Sequence, residues 1–417
     1  MKNVRLSVGS AQRGARSPGE VTNRGPLRSA RYLLRRSISS QASQIEDPIM
    51  KLRFLRLCAR ASEDRIAVRP GIRIRTVPAI CLIALLAGFV APGYQAANRE
   101  NGAEALLPHP SAAPGTFSRD NFSNVWLVDK TKDFETYSNG LRIDNRYAVA
   151  NDSRVFYPVY RRGAIDPNQP EWRTEPAGIV YHTTESDQAD FDPGQNGALK
   201  RIGRDVLNFV RAKRSYHFLI DRFGQVHRVV QESDVAFHAG NSVWADDEAV
   251  YVNLNASFLG IAFETQTQRA DDLPSANAAQ IHAAAILTEM LRSKYRIPQG
   301  NCVTHAQVSV NPANMLIGYH TDWAGNFPFI ELGLKDNYSI PPASIYIFGF
   351  DYDPVFVHST GVRLWEGLAL ADDQIRTQAM AAGVTMQRYR SLLRHKYKDI
   401  ITTLNDATSA KETTHAT

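Results

Sequence analysis

Cysteine is nearly missing from this 417-residue chain, with only Cys58, Cys81 and Cys302 present. Of these, only Cys302 falls in a stretch that reads as folded, which excludes a disulfide framework. Internal repeats are missing too, which excludes a solenoid or propeller array. Long apolar runs are scarce. The apolar run Val77 to Pro92 carries no charge and has about 16 residues, short of the roughly 20 that a spanning helix needs. Positive charge is scarce where the chain folds. The net charge is +6, but residues 1–75 hold fifteen Arg and two Lys against five acids, a net of +12. The remainder therefore carries about −6. The basic balance belongs to the N-terminal arm and gives no ground for a nucleic acid partner.

What is present falls into six stretches. Residues 1–75 are Arg- and Ser-rich without periodicity, and read as a disordered arm or untranslated upstream sequence. Met50, followed by Lys51, Arg53 and Arg56, offers an alternative start. Residues 76–97 suit a signal h-region with a cleavage site near Tyr94 to Ala97, or an uncleaved N-terminal anchor. Either reading exports the body to the periplasm or cell envelope. The only membrane association expected is through this segment, if it is uncleaved. Cys81 sits near the start of the run, so no lipoprotein signal is read. Residues 98–123 are Pro-, Ala- and Asn-rich and read as a linker. Residues 124–170 read as a β-rich lead-in, with strands at Val125–Val128 and Arg154–Tyr160 flanking a Ser138-Asn139-Gly140 turn.

The core spans 171–334. Leu199, Ile202, Val206, Leu207 and Val210 recur at helical spacing within 196–212. Strands are expected at Gly178–Tyr181, Tyr216–Ile220, Val226–Val230 and Leu259–Phe263, and a long helix at 276–295 before Pro298. Strands alternating with helices predict a mixed α/β domain, a central mixed sheet flanked by helices. Residues 335–417 read as a helical extension. Tyr346–Tyr352 is expected as one more strand, and 372–400 as helix broken at Gly383. Ala379 to Met386 has a faint likeness to half of a LysM wall-binding repeat, set against an ordinary helical pair.

The chemistry gathers around Gly178-Ile-Val-Tyr-His-Thr-Thr-Glu185, an apolar strand delivering His182 at its C-terminal edge. Taken with His305 and Asp322, two imidazoles and a carboxylate make a ligand set for catalytic Zn2+, with the fourth position left to water. The ligands are too far apart in sequence for spacing to be diagnostic.

Several pieces occur in order over about 150 residues: Tyr181-His182, Ser215 to Asp221 with Gly224, His238-Ala-Gly240, Asn255 with Ser257 to Ile261, Thr304-His305 and Thr321-Asp322. In this the core resembles the zinc-dependent N-acetylmuramoyl-L-alanine amidases of the type 2 amidase and peptidoglycan recognition protein superfamily. The resemblance implies Zn2+ held by His182, His305 and Asp322. It implies Tyr216 near the metal, His238, Gly240 and Thr183 against substrate, and peptidoglycan or muropeptides as the partner. The reaction implied is hydrolysis of the amide between N-acetylmuramic acid and L-alanine.

Three departures stand out. The span from His305 to Asp322 is long, implying an insertion around Asn311–Leu316. The family often has lysine two positions before the aspartate, and here it is His320, a donor only as the right tautomer or as the cation. His320 is also an alternative third ligand. Where many members carry glutamate after Gly-Ile, this chain has Ala262, and Glu264 shares its face two residues on as a candidate base. His217 reads as a core or supporting residue, His227 as surface and His282 as solvent-facing. Trp244, Tyr251 and Trp323 are candidates for a groove lining, and Glu185 for a contact to substrate or loop backbone. The alternative function is a non-catalytic peptidoglycan-binding protein of the same fold, which Ala262 favours and the full ligand set disfavours.

Overall fold

The computed structural model describes residues 120–267 and 276–415. The basic arm, the signal or anchor segment and nearly all of the linker lie outside the described residues.

Fourteen strands and six α-helices are found among the described residues. The strands are β1 Leu127–Lys130, β2 Phe134–Tyr137, β3 Arg142–Asp144, β4 Tyr157–Arg161, β5 Glu171–Arg173 and β6 Gly178–Thr183. They continue with β7 Phe218–Ile220, β8 Val226–Arg228, β9 Val243–Ala245, β10 Ala249–Val252, β11 Phe258–Phe263 and β12 Cys302–Thr304, and end with β13 Val310–Asn311 and β14 Leu316–Ile317. The helices are α1 Asn196–Lys213, α2 Ala278–Tyr295, α3 His305–Val308, α4 Ala343–Phe348, α5 Pro354–Ala381 and α6 Met386–His415.

The main sheet has eight strands in the order β1-β2-β3-β8-β7-β11-β6-β12. Its centre is parallel: β11 pairs with β6 and with β7, and β12 pairs with β6. Parallel strands are buried on both faces, which is why Gly178–Thr183 and Phe258–Phe263 are apolar nearly throughout and fully buried. The period-2 alternation divides each strand between two cores. Ile179, Tyr181, Ile261 and Phe263 join the cluster that contains Leu287, Met290 and Leu291 of α2. On the other face Leu219 and Ala262 pack with Leu207 and Val210 of α1, and Val180 and Phe258 pack with Trp244 and Tyr251. Trp244 and Tyr251 belong to a second sheet, of order β5-β4-β10-β9.

Local chemistry sets the ends. Asn277 caps α2 in a reciprocal capping box with Gln280. The β2–β3 hairpin turns at Gly140, whose φ of +84° suits glycine.

The mixed sheet flanked by helices is as expected, with corrections in detail. The Asn-Gly turn joins Phe134–Tyr137 to Arg142–Asp144 rather than the two runs read as its flanks. The first three strands of the lead-in extend the central sheet, because β3 pairs in parallel with β8. Tyr346–Tyr352 is not a strand: Ala343–Phe348 is a fully buried helix that starts after Pro342. The last helical pair begins earlier than expected, at Asp353-Pro354, where the Asp353 side chain accepts from the Phe356 amide. The region around Asn311–Leu316 forms the small β13–β14 hairpin. Phe348, Tyr397 and Ile400 of the extension share one buried cluster with Leu332 and Leu334. No helix among the described residues is long and apolar enough to cross a membrane.

Candidate metal centre

The C-terminal edge of the parallel strands carries the site. In register, His182 of β6 lies opposite Ala262 of β11, and Thr304 of β12 opposite Tyr181. His305 therefore follows β12 directly and opens α3, whose N-cap Thr304 makes a capping box with Gln307. The loop that brings Asp322 is tied to the same helix by the Ala306 amide, which donates to the Asp322 carbonyl at 3.2 Å. Trp323, next in the chain, is buried with a φ of +55°, a strained conformation for so bulky a residue.

His182, His305 and Asp322 are brought together and buried, with candidate ligand atoms all within 4.8 Å of one another. His182 Nδ1 lies 3.2 Å from Asp322 Oδ2, and His305 Nδ1 lies 2.9 Å from Oδ1. A tetrahedron with bonds of about 2.0–2.1 Å has edges of about 3.3–3.4 Å, so this donor set fits Zn2+ in size and ligand type. Asp322 is held far below the ordinary carboxylate range by the two histidines, against the opposing effect of its own burial. Burial, helped by His305, pushes His182 down to about 4, so its ring is neutral at neutral pH. A neutral imidazole is the ligand form.

Two further rings meet these ligands. The half-buried Tyr216 lies with its ring centroid 5.1 Å from that of His182. Burial, then the charges of Asp322 and Glu185, raise its phenol well above the usual range, so it stays a protonated donor. His320 is exposed and stacks on His305, with centroids 4.5 Å apart and planes at 17°. Partial desolvation where the ring stacks, and then the neighbouring His305, lower its pKa. The exposed Tyr319 stands edge-on to it at 4.7 Å.

The other expected site residues divide between the cluster and its surroundings. Glu264 is not brought to the cluster. It is buried one residue past β11, accepts from the Arg222 amide at 3.2 Å and lies against Gly203 of α1. Burial raises its pKa, and the charges that act on it are Asp221, Arg222 and His227. His238 is buried and forms no groove wall, since it stands directly against His182. Thr183 is buried as well, and its hydroxyl donates to Glu185 at 2.5 Å. Gly240 alone of the three substrate-side residues is exposed.

Trp244, Tyr251 and Trp323 are core residues rather than a groove lining. His227 is buried between Asp144 and Asp221, not at the surface. His217 is fully buried and accepts from the Gly260 amide, and His282 is exposed, both as expected. Glu185 is more constrained than its sequence suggested. It takes a φ of +52° and accepts from the Thr267 amide at 2.8 Å. In the sequence Asn255 stands out only as part of a motif, but its Oδ1 accepts from the amides of His238 and Ala239 and so fixes that loop.

The family model described as N-acetylmuramoyl-L-alanine amidase matches residues 172–322. No curated protein matches the chain. Among solved structures, the chain is similar to the amidase LysC from Clostridium intestinale URNW at 21% identity, covering 45% of this chain and 98% of that one with a TM-score of 0.24. AMPDH3 from Pseudomonas aeruginosa, in complex with an anhydromuramic pentapeptide, is 20% identical over 59% of this chain and 98% of its own, with a TM-score of 0.29. AmiD from E. coli, in complex with anhydro-N-acetylmuramic acid-L-Ala-D-gamma-Glu-L-Lys, is 21% identical over 49% and 65%, with a TM-score of 0.28.

Proposed function

We propose that this chain is a Zn2+-dependent hydrolase that cleaves the amide between N-acetylmuramic acid and L-alanine in peptidoglycan or muropeptides, a reading supported by the match of residues 172–322 to the N-acetylmuramoyl-L-alanine amidase family model. One observation carries the metal dependence: His182, His305 and Asp322 converge, buried, in a donor set that fits zinc. Zinc bound there supplies an activated water near neutral pH and polarises the scissile carbonyl.

The chain's own residues do the rest. His182 and His305 present Nδ1, and Asp322 supplies the charge that holds the cation. Tyr216 keeps its proton and donates toward the negative charge that develops on the carbonyl oxygen. His320, stacked on His305 at the exposed side, takes the proton given up by the attacking water and passes it to the leaving amine. Glu264 takes no part, since its surroundings are Arg222 and Gly203. The proposed location is the periplasm or cell envelope, supported by the apolar run from Val77 to Pro92.

A second reading, a peptidoglycan-binding protein without catalysis, is favoured by Ala262, which gives no carboxylate on the strand position beside His182. Mass spectrometry of wall fragments incubated with the full chain separates the two. Chelator-sensitive release of peptides with a free N-terminal alanine is expected, and His182→Ala is expected to lose bound zinc and this release together. No release from wild-type protein that holds zinc and binds wall would favour the second reading.

A further inference from the structure

We propose that His238 is a positioning residue that fixes the tautomer of His182, leaving His182 Nδ1 free to bind the cation. The inference rests on the zinc reading above and assigns to His238 a task that no direct contact with substrate would explain.

The argument is proton bookkeeping along one line of atoms. His238 is buried, and its Nε2 lies 3.1 Å from the Phe258 carbonyl oxygen. A carbonyl only accepts, so the His238 proton sits on Nε2. Its Nδ1 then carries a lone pair and accepts. The partner of that Nδ1 is His182 Nε2, at 3.1 Å. His182 must therefore carry its proton on Nε2, and its Nδ1 is left bare. That Nδ1 faces Asp322 Oδ2 at 3.2 Å. A lone pair facing a carboxylate oxygen needs a positive centre between them, which is where a cation fits. Reversing the His238 tautomer would direct a bare nitrogen at the Phe258 carbonyl and put a proton on His182 Nδ1. The first is unfavourable in a buried site, and the second blocks the ligand atom.

The surroundings hold His238 in this pose. Its amide and that of Ala239 both donate to Asn255 Oδ1, at 2.9 and 2.6 Å. Its ring lies over Gly260 so closely that a β-carbon there would come within 2.7 Å of His238 Cγ. The strand beneath therefore needs glycine at 260 for His238 to reach His182. Outer partners of this kind orient metal-ligating histidines, and losing one costs about 10–100-fold in metal affinity.

The test uses the full chain and zinc alone. Zinc affinity is measured by competition with a chromophoric chelator for wild type, His238→Phe and His238→Asn. Phenylalanine fills the space without an acceptor, and asparagine places Oδ1 near the position of Nδ1. His238→Phe is expected to lose about 10–100-fold in affinity, and His238→Asn to recover most of it. Wild-type affinity in folded His238→Phe would overturn the inference while leaving the amidase reading intact. No zinc binding by wild type would instead remove that reading itself. Should His238→Phe fail to fold, long-range 1H–15N correlation of 15N-histidine-labelled, zinc-loaded wild type decides. His238 is expected as the Nε2–H tautomer, with His182 protonated on Nε2; an Nδ1–H His238 would overturn the proposal.

Discussion

Glu264 and Asp322 are both buried carboxyls on the same edge of the sheet, and their surroundings push them in opposite directions. Asp322 has two imidazoles for partners, whereas Glu264 has a backbone amide and little else to offset its burial. A raised folded pKa means that the native state favours the protonated form. Its contribution to stability is thus present at low pH and lost as pH rises through the folded value. Glu264→Gln is therefore expected to raise the melting temperature at pH 8 more than at pH 5 while leaving wall hydrolysis within about threefold of wild type, as a residue outside the reacting centre should. A loss of hydrolysis of a hundredfold or more would restore Glu264 as the base. The sequence pointed to His182, His305 and Asp322 because imidazole and carboxylate at strand edges are chemically specific. It misdirected on Glu264 because alternation names a face but not what covers it. At that height the face is covered by α1 at Gly203.

The same blindness operates between elements. Short apolar runs locate β6 and β11 nearly to the residue, since a strand buried on both faces is a continuous apolar run. Such runs do not show that a second sheet packs over Val180 and Phe258, which makes Trp244 and Tyr251 core residues rather than groove aromatics. The run Tyr346–Tyr352 reads as strand because a short apolar run has no period of its own, and only the buried surroundings decide that Ala343–Phe348 is a helix. Helix α2 was legible from its apolar positions, but its start depends on the Asn277–Gln280 box. Asn277→Ala is expected to cost about 1 kcal/mol. That is read as a lowered urea midpoint with an unchanged slope. The Asn277 side chain also donates to the Arg222 carbonyl at 2.8 Å, so a larger loss would measure the tie between α2 and the β7–β8 turn. No loss would mean that the cap is dispensable.

At the scale of the whole molecule, acid is the condition to which this fold is most exposed. Glu135 is held down to about 2, chiefly by Arg228 acting against burial, with hydrogen bonds from Lys130, Arg228 and Tyr137. A depressed carboxyl contributes stability that is present above its unfolded pKa and lost as pH falls through the folded one, here from about 4.5 toward about 2. His182, His217 and His238 are buried neutral, and each is lowered mainly by burial. The unfolded chain protonates them first, so metal-free protein is expected to lose stability already as pH falls below about 6.5, the ordinary histidine value. Thermal melts of chelated protein from pH 8 to pH 3 check this. A flat melting temperature between pH 7 and pH 5 would contradict it.

His182 and Asp322 stand 140 residues apart in the chain and 3.2 Å apart in the fold. Between them the chain must lay β11 beside β6, return through α2 and add β12. Such long-range parallel pairings form slowly, because chain entropy is lost before the contacts compensate for it. The unfolded polypeptide has no neighbouring pair among the proposed ligands His182, His305 and Asp322 with which to hold a metal ion. On the zinc reading proposed above, metal capture would therefore close folding rather than nucleate it, and the finished protein, not the growing chain, would compete for zinc.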